Sequence, residues 1–325
     1  MQSFIQQQSS LELTGNDKLP TIVIIGSLNM DLITVTDRVP NAGETVHGTS
    51  FHTLCGGKGA NQAVACARLG AQVHMIGCIG DDNFGQQMLN NLKHEGIDCS
   101  GIITIKDQSS GIASITIDDQ DNRIIVVPGA NGGFRPKHIE QQRMLIQQAD
   151  LVLMQLEIPM DTVYAAVDIA YEYGVPVMLN PAPAVPLDSE WLKKIAWLTP
   201  NEHELAIMLG LQDQVNERSK DGELLGTMLS AWPERIVMTR GGDGALWADA
   251  GGHIQHMPGH KVTVVDTTGA GDTFNGALAV SLAEGRSLTE SVARSVAAGA
   301  LSVTRFGAQG GMPTKSDLER YLSMR

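Results

Sequence analysis

Aromatic residues make up only 4% of this 325-residue chain. So few rings argue against a surface of stacked bases of the kind single-stranded nucleic-acid binders use. Basic residues are also scarce: 23 Lys and Arg stand against 36 Asp and Glu, a formal charge of −13. A binder of phosphate backbones needs a basic face, so nucleic acid is not an expected partner. The acidity leaves room for a nucleotide, which backbone amides and one or two cations can hold. The four cysteines, Cys55, Cys66, Cys78 and Cys99, form no CxxC pair and read as small reduced core thiols. No apolar run is long enough to span a membrane. The first 20 residues lack the basic and apolar regions of a signal peptide. They are expected to form a flexible extension, and reduced thiols point to a cytoplasmic location.

What the chain does have is glycine, 35 residues of it, and 42% hydrophobic residues in short β-branched runs. Thr21–Ile25 is such a run, as expected for a strand buried on both faces. Strands are also expected at 32–36, 45–51 and 73–79, with helices over 58–69 and 82–94. A hairpin is expected from 111–117 and 123–127 across the turn 118–122. From 131 onward strands (151–155, 175–179, 197–199, 235–239) alternate with helices (160–173, from 202, 273–283, 288–304), a hairpin at 245–256 intervening. Such alternation predicts an α/β fold: one open, mostly parallel sheet with helices on both faces, occupying 21–325. The stretches 32–53 and 108–130 carry no helix and are expected to form a small β-sheet lid.

The segment Val265–Phe274 carries the strongest chemical signal. Gly269, Ala270 and Gly271 let backbone approach a ligand, and a helix opening there presents bare amides to an anion. Asp272 beside such an anion hole is wasteful for binding phosphate, but it suits a general base; a helix N-cap is the competing role. Gly56-Gly57-Lys58-Gly59 has the wrong spacing for a Walker loop, lacking a glycine at 52 and a Ser or Thr at 59. Asn61 on the helix that follows offers a donor and an acceptor to a diol. Asn29 and Asp31 alternate on an extended segment past the first strand, where open parallel sheets bind ligands. Thr239–Gly244 has turn composition. His253, His256 and His260 lack a carboxylate at ligand spacing and read as exposed hairpin residues.

Val265–Phe274 resembles the second signature of the ribokinase-like (PfkB) carbohydrate kinases, and Leu54–Ala63 resembles the first. Gly26–Asp31, Asn180–Ala184 and Thr199–Glu204 are similar to further segments of that family in the same order, so the likeness runs from Ile22 onward. The resemblance implies a kinase that moves the ATP γ-phosphate to a sugar hydroxyl, with Asp272 as base and Gly269, Ala270 and Gly271 as anion hole. It implies sugar contacts from Asn29, Met30, Asp31, Gly57, Lys58, Gly59, Ala60, Asn61, Glu157 and Asp272. Nucleotide contacts fall to Asn201, Glu204, Thr239, Arg240, Gly241, Gly242, Asp243, Gly244, Gly271, Asp272 and Val296. Asn201 and Glu204 would organise Mg²⁺, through water. An activating K⁺ would sit on Asp266, Thr268, Ser302, Arg305, Gly307 and Gly311, largely through main-chain oxygens. Gly311 departs from the family, which commonly has Ser there. D-ribose, phosphorylated at its terminal hydroxyl, is the expected substrate, and a homodimer paired through the lid is the expected assembly. Kinases for deoxyribose, fructose or a nucleoside share the pattern, and a non-catalytic sugar or nucleotide binder on the same fold is the reading from another class.

Overall fold

The computed structural model describes residues 19–118, 122–210, 225–228, 236–248 and 252–324. Most of the expected N-terminal extension, the tip of the hairpin turn and the start of the strand expected at 235 lie outside these residues.

In chain order the elements are β1 (Thr21–Ile25), β2 (Asn29–Thr36), β3 (Gly48–Gly56), α1 (Lys58–Arg68), β4 (Gln72–Gly80), α2 (Asn83–His94), β5 (Asp98–Ile105), β6 (Gly111–Ile117) and β7 (Asn122–Val127). There follow α3 (Pro136–Glu140), α4 (Arg143–Gln147), β8 (Leu151–Met154), α5 (Met160–Glu172), β9 (Val177–Leu179), α6 (Ser189–Leu192), β10 (Trp197–Leu198) and α7 (Glu202–Met208). The C-terminal part holds β11 (Val237–Thr239), β12 (Ala245–Ala248), β13 (Ile254–Met257), α8 (Ala270–Ala283), α9 (Leu288–Ser302), α10 (Ala308–Gly311) and α11 (Lys315–Ser323).

The main sheet runs β10-β9-β8-β1-β4-β5, and every pairing in it is parallel. Parallel bridges from Leu198 to Ile236 and from Asn201 to Thr239 carry it on to β11, and β12 and β13 follow antiparallel. All five residues of β1 are buried, because helices cover both faces. Full burial of an Ile there is worth about 1.5–3 kcal/mol, so this strand anchors both halves of the core. From β1 the chain proceeds to β4 and β5 on one side, and β8 to β11 fill the other. The reversal between β1 and β8 opens a crevice at their carboxyl ends, the place where such sheets bind ligands.

The lid is a four-stranded sheet, β3-β2-β6-β7. Its two antiparallel pairs are joined by a parallel pairing of β2 with β6 that local sequence does not announce. The second strand expected there, 45–51, is displaced: β3 begins at Gly48 and continues to Gly56. The lid has its own small core, Ile33, Ala113 and Ile115 with Leu54 and Ile117, so Ile33 and Ile115 need no outside cover. Ile125 and Val127 on β7 remain exposed, Ile125 by 69%.

The edge strand β5 was not expected. Its sequence, Asp98-Cys99-Ser100-Gly101, starts polar and contains glycine, both weak strand signals. A Cβ at Gly101 would lie 2.8 Å from the Met75 carbonyl oxygen, so glycine permits the register shift by which β5 joins β4. Cys66 and Cys78 are buried and Cys55 and Cys99 half-buried, all as free thiols.

Candidate active site

The crevice is lined from the first strand crossover onward. Gly26 and Ser27 end β1, and the backbone then turns directly into β2, which delivers Asn29 and Asp31. Helix α1 docks end-on against that turn. A Cβ at Gly59 would lie 2.6 Å from Ser27 N, and one at Gly57 2.6 Å from Asn29 N, so only glycine allows the approach. Gly57 also has φ of 89°, a conformation L side chains rarely adopt.

Helix α8 opens opposite α1. Its N-cap, Gly269, is left-handed with φ of 76°, and the first intrahelical bond runs from Thr273 N to the Gly269 carbonyl. The amides of Gly271 and Asp272 precede that bond, and the space beside the Gly271 Cα is open. An anion can therefore reach these amides at the positive end of the helix. Asp272 is not the N-cap: its side chain reaches α1, is only 8% exposed, and accepts hydrogen bonds from Asn61 Nδ2 and Gln62 Nε2, both at 3.0 Å. Burial raises its pKa; Lys58 and the two amides work in the other direction, and Glu157 adds to the rise. A carboxylate made more basic in this way is suited to accept a hydroxyl proton.

Carboxylates dominate the rest. Burial, with Glu157 and Asp272 nearby, pushes Asp31 up to about 7. Ser27 Oγ donates to Glu157 Oε2 at 2.6 Å, and Lys58 N donates to the same oxygen at 3.2 Å. Burial opposes the charge of Lys58, but Asp272, Glu157 and Glu204 outweigh it and raise its pKa. One cation thus stands among three acids. Asn29, Lys58, Glu157 and Glu204 line one cleft of about 510 Å³, closed on the lid side by Val126 and Pro128. Asn29 Oδ1 accepts from Asn131 Nδ2 at 2.8 Å, and Asn131 also pairs with both backbone groups of Leu28.

Asn201 and Glu204 form a reciprocal capping box on α7, each bond 2.8 Å. Burial raises the pKa of Glu204, against the pull of the Asn201 amide and Lys58. Thr239 ends β11, and Arg240–Gly244 forms a tight turn in which Arg240 N donates to the Gly244 carbonyl at 2.8 Å. A Cβ at Gly244 would lie 2.0 Å from the Met257 carbonyl oxygen. Val296 is 6% exposed and belongs to the core packed around α8 and α9. His256 Nε2 lies 3.0 Å from the Asp243 carbonyl oxygen, and the His260 ring packs edge-on against Tyr321.

The residues expected to hold a monovalent ion converge beside α8. Asp266 accepts from Thr268 N at 2.9 Å and from Gly307 N at 2.8 Å, tying the two loops together. Gly311 faces the Ser302 carbonyl so closely that a Cβ would lie 2.0 Å from it. This packing leaves no room for a Cβ at Gly311.

Sequence reading missed Gln62, Asn131, Gln155 and Gln309, all buried and all bonded into the site. Gln155 had a usable signal, since it directly follows β8 at the crevice. Met30 and Ala60 face the core, Lys58 lines the cleft, and Gly57 and Gly59 pack against the backbone of 26–29.

The model of pfkB family carbohydrate kinases matches residues 19–315. The chain is 44% identical to a ribokinase of Bacillus subtilis (strain 168), over 93% of this chain and 99% of that one. It is 35% identical to a deoxyribokinase of Salmonella typhi, again over 93% and 99%. The structure of Arabidopsis thaliana ribokinase complexed with ribose and ATP superposes with a TM-score of 0.86 at 29% identity, covering 94% of this chain and 99% of that one. The chain belongs to the pfkB family of carbohydrate kinases.

Proposed function

We propose that this chain is an ATP-dependent ribokinase, transferring the ATP γ-phosphate to the 5-hydroxyl of D-ribose. The observation that carries the reading is Asp272, a buried carboxylate at the mouth of α8 beside the open amides of Gly271 and Asp272. The similarity to ribokinases over nearly the full chain supports the choice of sugar.

In this reading the sugar lies in the cleft. Asp31 and Glu157 accept from its hydroxyls, and Asn29, fixed by Asn131, gives the polar contact beside them. The reacting hydroxyl faces Asp272, which takes its proton as the oxygen attacks phosphorus. The ADP leaving group carries the bridging oxygen away. Charge on the transferring phosphoryl group meets the amides of Gly271 and Asp272 and the ammonium of Lys58. The nucleotide extends over the turn 239–244 and Asn201. The lid, β2-β3-β6-β7, excludes water as a competing acceptor.

The donor set fits a hydrated Mg²⁺: Glu204 Oε2 accepts from Asn201 N, its second oxygen remains for a metal-bound water, and its buried carboxyl would gain from a cation. Mg²⁺ would shield the phosphate charge. The loops tied by Asp266 fit a K⁺ held by main-chain carbonyl oxygens of the two segments. Its place is to stiffen the anion hole, not to exchange protons. The exposed Ile125 and Val127 support pairing of two lids in a homodimer, and the free thiols support a cytoplasmic location. ADP release measured across D-ribose, 2-deoxy-D-ribose, D-fructose and a nucleoside tests the assignment. Highest kcat/KM with D-ribose is expected; a preference for the deoxy sugar or the nucleoside overturns the substrate, and no turnover with any of them overturns the kinase.

A further inference from the structure

Asp272 stands at the junction of two chains of buried side-chain amides. Asn61 Nδ2 donates to its Oδ2 and Gln62 Nε2 to its Oδ1. Behind Asn61, Gln309 Nε2 donates to Asn61 Oδ1 at 3.1 Å, and Asn91 Nδ2 donates to Gln309 Oε1 at 2.8 Å. Behind Gln62, Gln155 Nε2 donates to Gln62 Oε1 at 2.6 Å. Gln62 Nε2 also reaches Asn180 Oδ1, and Asn180 Nδ2 donates to the Thr199 carbonyl at 3.0 Å.

The polarity of both chains follows from Asp272 alone. An ionised carboxylate only accepts, so Asn61 and Gln62 must turn their NH₂ groups toward it. Their carbonyl oxygens then point away and require donors, which Gln309 and Gln155 supply. One atom shows that this orientation is imposed. Gln155 is 0% exposed, and its Oε1 has no hydrogen-bond partner among the described residues. That oxygen rests where a Cβ on Gly26 would come within 2.0 Å of it. Rotating the Gln155 amide would set its oxygen against Gln62 Oε1 and free Gln62 to present the wrong end to Asp272. A buried orphan acceptor is unfavourable, so the orientation persists because the rest of the hydrogen-bonded chain demands it.

We infer that Gln155 and Gln309 are positioning residues for phosphoryl transfer: they fix the amide polarity of Gln62 and Asn61 and so hold both oxygens of Asp272 as aimed acceptors. Neither touches the cleft that receives the sugar. The Gln309 arm reaches further, because α10 begins just after Gly307, whose amide is held by Asp266. The loop beside the anion hole and the base are thereby joined through one short segment. This inference rests on Asp272 being the base.

The test uses Gln155→Met and Gln309→Met, which keep length and remove the donor. Each is expected to lower kcat roughly tenfold while KM for ATP and for D-ribose stays within about twofold, since aim is lost and binding is not. The acid limb of the kcat–pH profile is expected to move to higher pH, because Asp272 loses stabilising donors. Lys58, Glu157, Glu204 and Asp31 are the charged groups facing Asp272, and neither variant alters them. Folded variants with kcat within about twofold of wild type and an unmoved acid limb overturn the inference. Should Gln155→Met fail to fold, Gln309→Met, on the separate arm through Asn61, decides alone. Asp272→Asn measured alongside separates the two levels. If it is inactive while both glutamine variants behave as wild type, the positioning role alone is wrong; if it turns over normally, the base assignment falls and the inference with it.

Discussion

Gly57 and Asn29 meet backbone to backbone: a Cβ on Gly57 would lie 2.6 Å from Asn29 N. That contact sets the distance between helix α1, which carries Lys58 and Asn61, and strand β2, which carries Asn29 and Asp31. Gly57→Ala adds a Cβ to that contact and strains a φ of 89°. A loss of roughly 1–3 kcal/mol in folding stability is expected, together with a raised KM for the sugar. Chemical denaturation and initial-rate kinetics on the same preparation check both; an unaltered sugar KM would show that α1 does not set the sugar site.

Asp31 links stability to pH. Burial lifts its pKa to about 7, against about 3.9 in an unfolded chain. Because the folded value is the higher one, the folded state disfavours the charged form. The penalty is absent below about pH 4, grows as pH rises, and is complete above about 7. Asp31→Asn should therefore stabilise the apo protein above pH 7 while weakening sugar binding severely. Melting temperatures of both proteins from pH 5 to 8 provide the check, with the gap widening as pH rises; a gap independent of pH contradicts the burial argument.

Much of this site can be read from adjacent residues, and the boundary of what can be read is physical. Gly269–Asp272 and Gly56–Lys58 are consecutive, so their chemistry follows from local backbone freedom and a helix start. Gln62, Gln155 and Gln309 become meaningful only when positions far apart in the chain meet: Gln62 bonds Asp272, Gln155 bonds Gln62, and Gln309 bonds Asn61. Nothing local distinguishes Gln62 and Gln309 from solvated glutamines, and only the place of Gln155 just past β8 hints at its role. The fold shows the same division. β1 was legible from its β-branched run, whereas β5 was hidden by Ser100 and Gly101 and is held by pairing with β4. The parallel join of β2 to β6 is likewise a tertiary fact.

The cation loop gives a third prediction. Asp266→Ala removes the acceptor shared by Thr268 N and Gly307 N. At fixed ionic strength, replacing a bulky organic cation by K⁺ should raise the wild-type rate severalfold and leave the Asp266→Ala rate unchanged. A wild-type rate indifferent to K⁺ would remove the ion from the account. Gly311→Ser should not improve the site, because its Cβ would collide with the Ser302 carbonyl; a loss of about 1–3 kcal/mol in stability is expected from the forced repacking.

Two lids meeting across β7 would cover Ile125 and Val127. Ile125→Glu places a charge in that contact and is expected to shift light-scattering mass from dimer to monomer. A wild-type protein that is monomeric at micromolar concentration contradicts the pairing.

The central claim is that Asp272 takes the proton of the sugar hydroxyl. Its carboxylate is buried, made more basic by that burial, and held by Asn61 and Gln62 at the mouth of α8. Asn at this position keeps the shape and removes the base. The decisive measurement is kcat of Asp272→Asn with ATP and D-ribose, beside nucleotide binding by calorimetry. A fall of roughly 10²–10⁴ in kcat with ATP affinity retained is predicted. Turnover near the wild-type rate would contradict the account and leave Asp272 a structural acceptor at the start of a helix.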